Sequence, residues 1–138
     1  MVLYDSYGRL SYRKEGESYG VSVRVDQGVA DFYRALIPKC YEWQPQKYPA
    51  HITVVRIHKE IPKNIDKWGK YENKKIKFAY SPILHEGTVY WWINAFSIEL
   101  EDIRRELGLP VRSEYTLPPE GYTKCFHITV ANKKRENI

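Results

Sequence analysis

The sequence predicts an α+β fold made from one duplicated unit of hairpin, helix, loop and strand. Three observations carry that expectation. Polar and apolar residues alternate over several short stretches, the period of half-buried strands. Two other stretches space their apolar residues as amphipathic helices do. The tetrapeptide His-Ile-Thr-Val occurs twice, at His51-Ile52-Thr53-Val54 and His127-Ile128-Thr129-Val130, and each copy closes its unit. Such a repeat predicts a pseudo-two-fold axis between the halves.

Each element follows from its residues. Leu10-Ser11-Tyr12-Arg13 and Tyr19-Gly20-Val21-Ser22-Val23-Arg24-Val25 alternate on either side of the turn-like Glu15-Gly16-Glu17, which predicts a hairpin. Asp26 has the chemistry of an N-cap, and Val29, Phe32, Tyr33, Leu36 and Ile37 follow at helical spacing up to Pro38. A loop carrying Pro45 and Pro49 leads into a strand over 51–56. Residues 59–72 are polar, include Pro62, Asn64 and Gly69, and predict a loop. Lys75-Ile76-Lys77-Phe78-Ala79-Tyr80 alternates, Gly87 marks a turn, and the β-branched and aromatic run over 88–96 completes a second hairpin. Ser97 is the next candidate cap. Ile98, Leu100, Ile103, Arg104 and Leu107 then give an amphipathic pattern that Gly108 and Pro110 end. A loop with Pro118, Pro119 and Gly121 precedes the last strand, over 126–131. The repeats, about 1–58 and 74–138, are expected to share a single domain, as a chain of 138 residues normally closes one core.

Composition narrows the partner only slightly. There are 22 Lys and Arg against 17 Asp and Glu, a net charge of +5, together with 12 Tyr, 4 Trp and 4 Phe. Cationic charge with aromatic rings suits phosphates and flat bases, although many small proteins are this basic for solubility alone. No apolar run approaches the ~18–20 residues that span a bilayer, so no membrane partner is expected. The opening Met1-Val2-Leu3-Tyr4-Asp5-Ser6 lacks a secretory pattern, which leaves a cytoplasmic location as the expectation. Cys40 and Cys125 stand far apart, and the four histidines show no metal-site spacing. Reduced thiols and chemistry without a metal or cofactor are therefore expected.

The paired motif is the specific signal. With 4 His and 5 Thr in the chain, shuffling would give on the order of 0.1 His-x-Thr per chain and about 0.01 for two. Residues two apart on a strand share a face, so each copy presents an imidazole beside a hydroxyl while Ile52, Val54 and their counterparts turn to the core. Two such strands about a two-fold axis bring two imidazoles and two hydroxyls to one cleft. That set suits phosphodiester cleavage. One neutral His takes a proton from the attacking oxygen, and the other, protonated, gives one to the leaving oxygen. The Thr hydroxyls donate to the non-bridging oxygens as charge develops. A lone strand His is more often a hydrogen-bonded surface or core residue; the duplication is what singles out His51 and His127. His58 and His85 have no such partner and are expected at the surface.

The two His-Ile-Thr-Val strands in their duplicated setting resemble the two-histidine (2H) phosphoesterase superfamily, whose motif is His-hydrophobic-Thr/Ser-hydrophobic, twice per chain. The resemblance implies a bilobal fold, two pseudo-symmetric antiparallel sheets with flanking helices around a central cleft. It implies His51 and His127 as the acid/base pair, with Thr53 and Thr129 on the phosphate. Tyr7-Gly8-Arg9-Leu10-Ser11-Tyr12, Trp68-Gly69-Lys70-Tyr71, Tyr90-Trp91-Trp92-Ile93-Asn94 and Ile103-Arg104-Arg105-Glu106-Leu107-Gly108-Leu109-Pro110 extend the likeness to the small phage anti-CBASS nucleases, also known as RNA-repair-like proteins. Those enzymes degrade cyclic oligonucleotide messengers that bacteria make during infection. The resemblance then implies a cyclic oligonucleotide substrate, with RNA ends bearing a 2′,3′-cyclic phosphate, or a non-catalytic messenger sponge, as competing readings. It also implies aromatic base contacts, for which Tyr12 and Trp92 are the matches, with Tyr90 on the same strand face as Trp92. A bulged or shifted strand would present Trp91 instead. Arg56 after the first motif, and Lys133, Lys134 and Arg135 after the second, are candidates to draw phosphate inward, or else a solvated basic edge.

Overall fold

In the computed structural model, which describes residues 2–113 and 116–133, the chain is α+β with antiparallel strands and two helices. The strands are β1 (Tyr4–Glu15), β2 (Ser18–Arg24), β3 (Trp43–Pro45), β4 (His51–Val55), β5 (Lys75–Glu86), β6 (Tyr90–Phe96) and β7 (Phe126–Lys133). The helices are α1 (Gln27–Arg34) and α2 (Ile98–Glu106). The first unit thus reads β1–β2–α1–β3–β4 and the second β5–β6–α2–β7. Among the described residues, no helix is long and apolar enough to cross a membrane.

Both helices start where side-chain chemistry predicts. Asp26 Oδ1 accepts from the Gly28 amide at 2.8 Å. Ser97 Oγ accepts from the Leu100 amide at 3.3 Å and donates to the Lys77 carbonyl at 2.8 Å, which ties α2 to β5. The expected hairpins form, but β1 and β5 each run twelve residues. Their added length comes from pairing with each other: Tyr4 to Arg9 on β1 lie opposite Tyr80 to Lys75 on β5. Alternation within 4–9 is too polar to announce a strand, and the partner supplies the bonds. Within the predicted 59–72 loop there is one 3-10 turn at Ile65–Lys67. The Pro-containing loop holds β3, which pairs with β7 and places Pro45 on a sheet edge, where a missing N–H is tolerated.

The sheet order is β3-β7-β4-β2-β1-β5-β6, and β6 also pairs with β7. The ladder therefore closes into a ring of six strands with β3 appended, one continuous sheet where two separate sheets are expected from the family resemblance. The closure arises because β7 bonds to strands of both repeats. Gly8 permits the point where β1 changes partner: a Cβ there would stand 2.5 Å from the Arg24 carbonyl oxygen and 2.4 Å from Val23.

One face of the sheet is apolar. Leu10, Val23, Ile52, Ile128 and Ile93 form a single row across β1, β2, β4, β7 and β6, and each is almost wholly buried. Leu100, Ile103 and Leu107 of the α2 segment, with Ala30, Tyr33 and Ile37 of the α1 segment, join the same core. Phe32 and Leu36 depart from the helical-face expectation. They are 61% and 54% exposed, since the short α1 buries only Ala30 and Tyr33.

Helix α2 also buries two charges, and each grips the approach to a motif. Arg104 donates to the Val54 carbonyl at 2.7 Å, to the Pro110 carbonyl at 3.0 Å and to both carboxylate oxygens of Glu60, at 3.1 and 2.7 Å. Glu101 accepts from the Thr123 and Lys124 amides at 2.9 and 3.3 Å, just ahead of β7. Desolvation is the largest single influence and pushes the Glu60 carboxyl up, but the hydrogen bonds from Arg104 and the Arg56 amide, together with the charges of both arginines, outweigh it and hold the group below its ordinary value. Removing one partner leaves the other buried and uncompensated, so Arg104→Met is expected to cost roughly 3–5 kcal/mol. The depressed Glu60 value adds a pH dependence. Its contribution is complete above the ordinary glutamate pKa of about 4.3 and is lost as pH falls through the lower folded value. Glu60→Gln should accordingly be destabilised at neutral pH and lose less further stability on acidification than the parent. Urea unfolding at neutral and acid pH measures both, and equal stability of parent and variants at pH 7 would contradict the clamp.

Candidate active site

The pairing of β4 with β7 decides where the repeated tetrapeptides meet. Ile52 stands opposite Ile128, so the strands cross at the same letter of the motif. Antiparallel pairing about that point sets His51 opposite Thr129 and Thr53 opposite His127. Both isoleucines are fully buried, so all four His and Thr side chains lie on the other face. His51 and Thr129 are half-buried, and Thr53 and His127 are exposed. The two histidines are diagonal neighbours, which regular antiparallel strands hold roughly 7–8 Å apart. A phosphodiester hydrogen-bonded to both rings, at roughly 2.7–3.0 Å on each side, fits such a gap.

Neighbouring strands extend this face in two rows. One runs Arg9, Arg24, His51, Thr129, Trp92 and His85 across β1, β2, β4, β7, β6 and β5. The next runs Ser11, Ser22, Thr53, His127 and Asn94 across β1, β2, β4, β7 and β6. A cavity of about 750 Å³ opens over the first-repeat half, lined by Arg9, Ser11, Ser22, Arg24, His51 and Thr53 among others. His127 and Thr129 stand one strand beyond that lining.

The two imidazoles are held differently. His51 Nδ1 lies 2.8 Å from the Pro49 carbonyl oxygen. A carbonyl only accepts, so Nδ1 carries the hydrogen and Nε2 is the nitrogen left to exchange a proton. His127 packs against Trp92, with ring centroids 5.4 Å apart, and Trp92 stacks in turn on His85 at 5.5 Å. Trp92 Nε1 donates to Asn94 Oδ1 at 3.1 Å, and Asn94 Nδ2 donates to His85 Nε2 at 3.3 Å. Gly87 leaves room for the indole: a Cβ there would lie 2.7 Å from the Trp92 ring. Although His127 meets solvent, its pKa is pushed below the ordinary imidazole value. Desolvation by its neighbours is the main cause, followed by the charge of His85 when that ring is protonated and by the positive charge of Lys124.

The remaining sequence-predicted residues divide. Trp92 joins the His and Thr groups. Tyr90 shares its face but lies at the end of β6 opposite Asn132, 48% exposed. Trp91 shares the face of Ile93 on the regularly alternating β6 and so lies in the core at 6% exposure; the extra residue at the ladder irregularity is Val130 of β7. Tyr12 sits on the apolar side, opposite Val21, edge-on to Trp68 at 4.9 Å. Burial there raises its hydroxyl pKa, and the strand alternation that buries Leu10 turns Tyr12 away from the histidines. Arg56 follows the end of β4, outside the cavity lining, and its backbone and side chain both face Glu60. Lys133 pairs with Glu86 at 3.5 Å, while Lys134 and Arg135 lie outside the described residues. His58 is at the surface, between Ser18 and Glu15. His85 is not a lone surface residue but part of the Trp92 stack.

Sequence reasoning missed Arg9, Ser22, Arg24, Asn94 and His85. Alternation puts Ser22 and Arg24 on one face, but only the pairing register shows that this face meets Thr53 and His51. Among the described residues, no group of three or more His, Cys, Asp and Glu side chains is placed to hold a metal ion. No protein-family model matches the chain, and neither a curated protein nor a solved structure matches it.

Proton NMR tests the electrostatics. The His127 ring should titrate below the ordinary imidazole range, and His85→Gln should move it upward by removing one source of positive charge. A downward or absent movement would contradict the assignment of His85 as a neighbouring charge.

Proposed function

We propose that the chain is a phosphodiesterase of the two-histidine type that cleaves 3′,5′ linkages of cyclic oligonucleotide messengers without a metal, and so defeats a nucleotide-signalled immune response. One observation carries the reading: both His-x-Thr pairs stand side by side on paired strands, related by a pseudo-dyad at Ile52 and Ile128. In this reading the two repeats are the two lobes of a bilobal two-histidine phosphoesterase, joined along β4 and β7.

The roles follow from the environments. His127 is disfavoured as a cation, so it is neutral near pH 7 and serves as the base. It takes the proton of a ribose 2′-hydroxyl, whose oxygen attacks the adjacent phosphorus. His51, oriented through Nδ1 by the Pro49 carbonyl, delivers a proton from Nε2 to the departing 5′-oxygen. Thr53 and Thr129 donate to the non-bridging oxygens as negative charge builds. The P–O5′ bond breaks as the 2′-O–P bond forms, and the first product carries a 2′,3′-cyclic phosphate. Water attack with the roles reversed then opens that ring.

Cyclic dinucleotides incubated with the protein in excess chelator should be cleaved, and their 2′-deoxy analogues should remain intact. His51→Ala and His127→Ala should each lower the rate by ~10²–10⁴. Full activity in either variant, or cleavage of the deoxy analogue, would contradict the mechanism. Faster turnover of RNA ends bearing a 2′,3′-cyclic phosphate would transfer the same chemistry to RNA-end processing. Tight binding with the nucleotide recovered unchanged would make the protein a sponge.

A further inference from the structure

The two sides of the pseudo-dyad are chemically unlike. Arg24 stands opposite His51 in the first repeat, and Asn94 stands opposite His127 in the second. Ser22 flanks Thr53, whereas Trp92 flanks Thr129. The first repeat then adds more positive charge, for Arg9 lies opposite Arg24 and Lys75 opposite Arg9. Three cations thus stand in one row across β5, β1 and β2, leading to His51. Lys75 is engaged over the Tyr7 ring at 4.4 Å, and Arg9 donates to the Asn73 carbonyl at 3.3 Å.

Directly opposed like charges are unfavourable on a sheet, and several other arginines here are neutralised. Arg13 pairs with Glu15, Arg34 with Asp31, Arg104 with Glu60 and Arg105 with Asp102. Among the described residues, neither Arg9 nor Arg24 has an ion-pairing carboxylate, and both line the cavity that holds His51 and Thr53. Strands lie about 4.8 Å apart, so the two guanidiniums start one and two strands from the proposed reacting phosphate. Guanidinium groups match phosphate oxygens in shape as well as charge.

We propose that Arg9 and Arg24 form a second phosphate subsite beside His51, so that the substrate carries a further phosphate adjacent to the one that reacts. The inference rests on the phosphodiesterase reading for what it calls the reacting phosphate. It makes the enzyme selective for oligonucleotides over mononucleotide cyclic phosphates, and it gives the bound chain a direction. The second phosphate lies toward β2 and β1, and the side of Trp92 takes the other end.

Binding tests this without turnover. A 2′-deoxydinucleotide with a 5′-phosphate carries two phosphates, the same dinucleotide without it carries one, and neither offers a 2′-hydroxyl. Calorimetric titration of the full chain at low salt should show the two-phosphate probe at least about tenfold tighter. R24Q and R9Q should each remove most of that gap and leave the one-phosphate affinity unchanged, which also reports an intact fold. H51A should keep the gap. Equal affinity for the two probes, or an undiminished gap in R24Q, would overturn the subsite. A gap without turnover of any ribonucleotide would retain the subsite and discard the phosphodiesterase; turnover without a gap would do the reverse.

Discussion

Ile52 lies opposite Ile128 at the centre of the molecule, and the placement of every other site residue depends on that one ladder pair. A slip of either strand by a single residue would turn its His and Thr into the apolar layer and its Ile and Val out of it. Full burial of an isoleucine is worth about 1.5–3 kcal/mol, and each motif strand commits an isoleucine and a valine to the core. The slipped register would also strand imidazole and hydroxyl groups without partners. The apolar half of the motif therefore fixes the position of its polar half.

Helix α2 reinforces the same register from behind. Its buried Arg104 holds the Val54 carbonyl on the first motif strand, and its buried Glu101 holds the amides that lead into the second. These two side chains lie three residues apart on one helix, so a single rigid element spans both motifs. Buried charges are costly in themselves. Here their partners are main-chain groups, Glu60 and Arg105, so the cost is offset in large part by hydrogen bonds that only the native arrangement of the two strands can supply.

Much of this arrangement is legible in the sequence because it follows from local patterns. Alternation marks the hairpins, Asp26 and Ser97 mark the helix starts, and the repeated tetrapeptide marks the two strands that meet. What is not legible comes from long-range pairing. The closure of β6 onto β7, the twelve-residue reach of β1 and β5, and the recruitment of β3 depend on hydrogen-bond partners far along the chain. The site divides along the same line. The motif strands state their own facing, and alternation along β6 turns Trp91 to the core with Ile93, but only the β6–β7 register brings Trp92 beside Thr129. Tyr12 and Arg24 show the consequence: Tyr12 belongs to the alternation that faces the core, and Arg24 stands beside His51 only through the β2–β4 register.

The two copies of the motif sit in unlike surroundings, which a symmetric repeat alone would not require. One imidazole is fixed by a carbonyl and bordered by arginine; the other is crowded by an indole and a second histidine, which disfavour its charged form. In the proposed phosphodiesterase this asymmetry assigns the base to His127, whose charged form is disfavoured, and the acid to His51. The pH dependence of kcat/KM on a cyclic dinucleotide tests this most directly. The account predicts a bell with two titrating groups in the parent, and a profile that lacks the acidic limb in His127→Ala and the alkaline limb in His51→Ala. A parent profile without two limbs, or single variants that retain both, would contradict it.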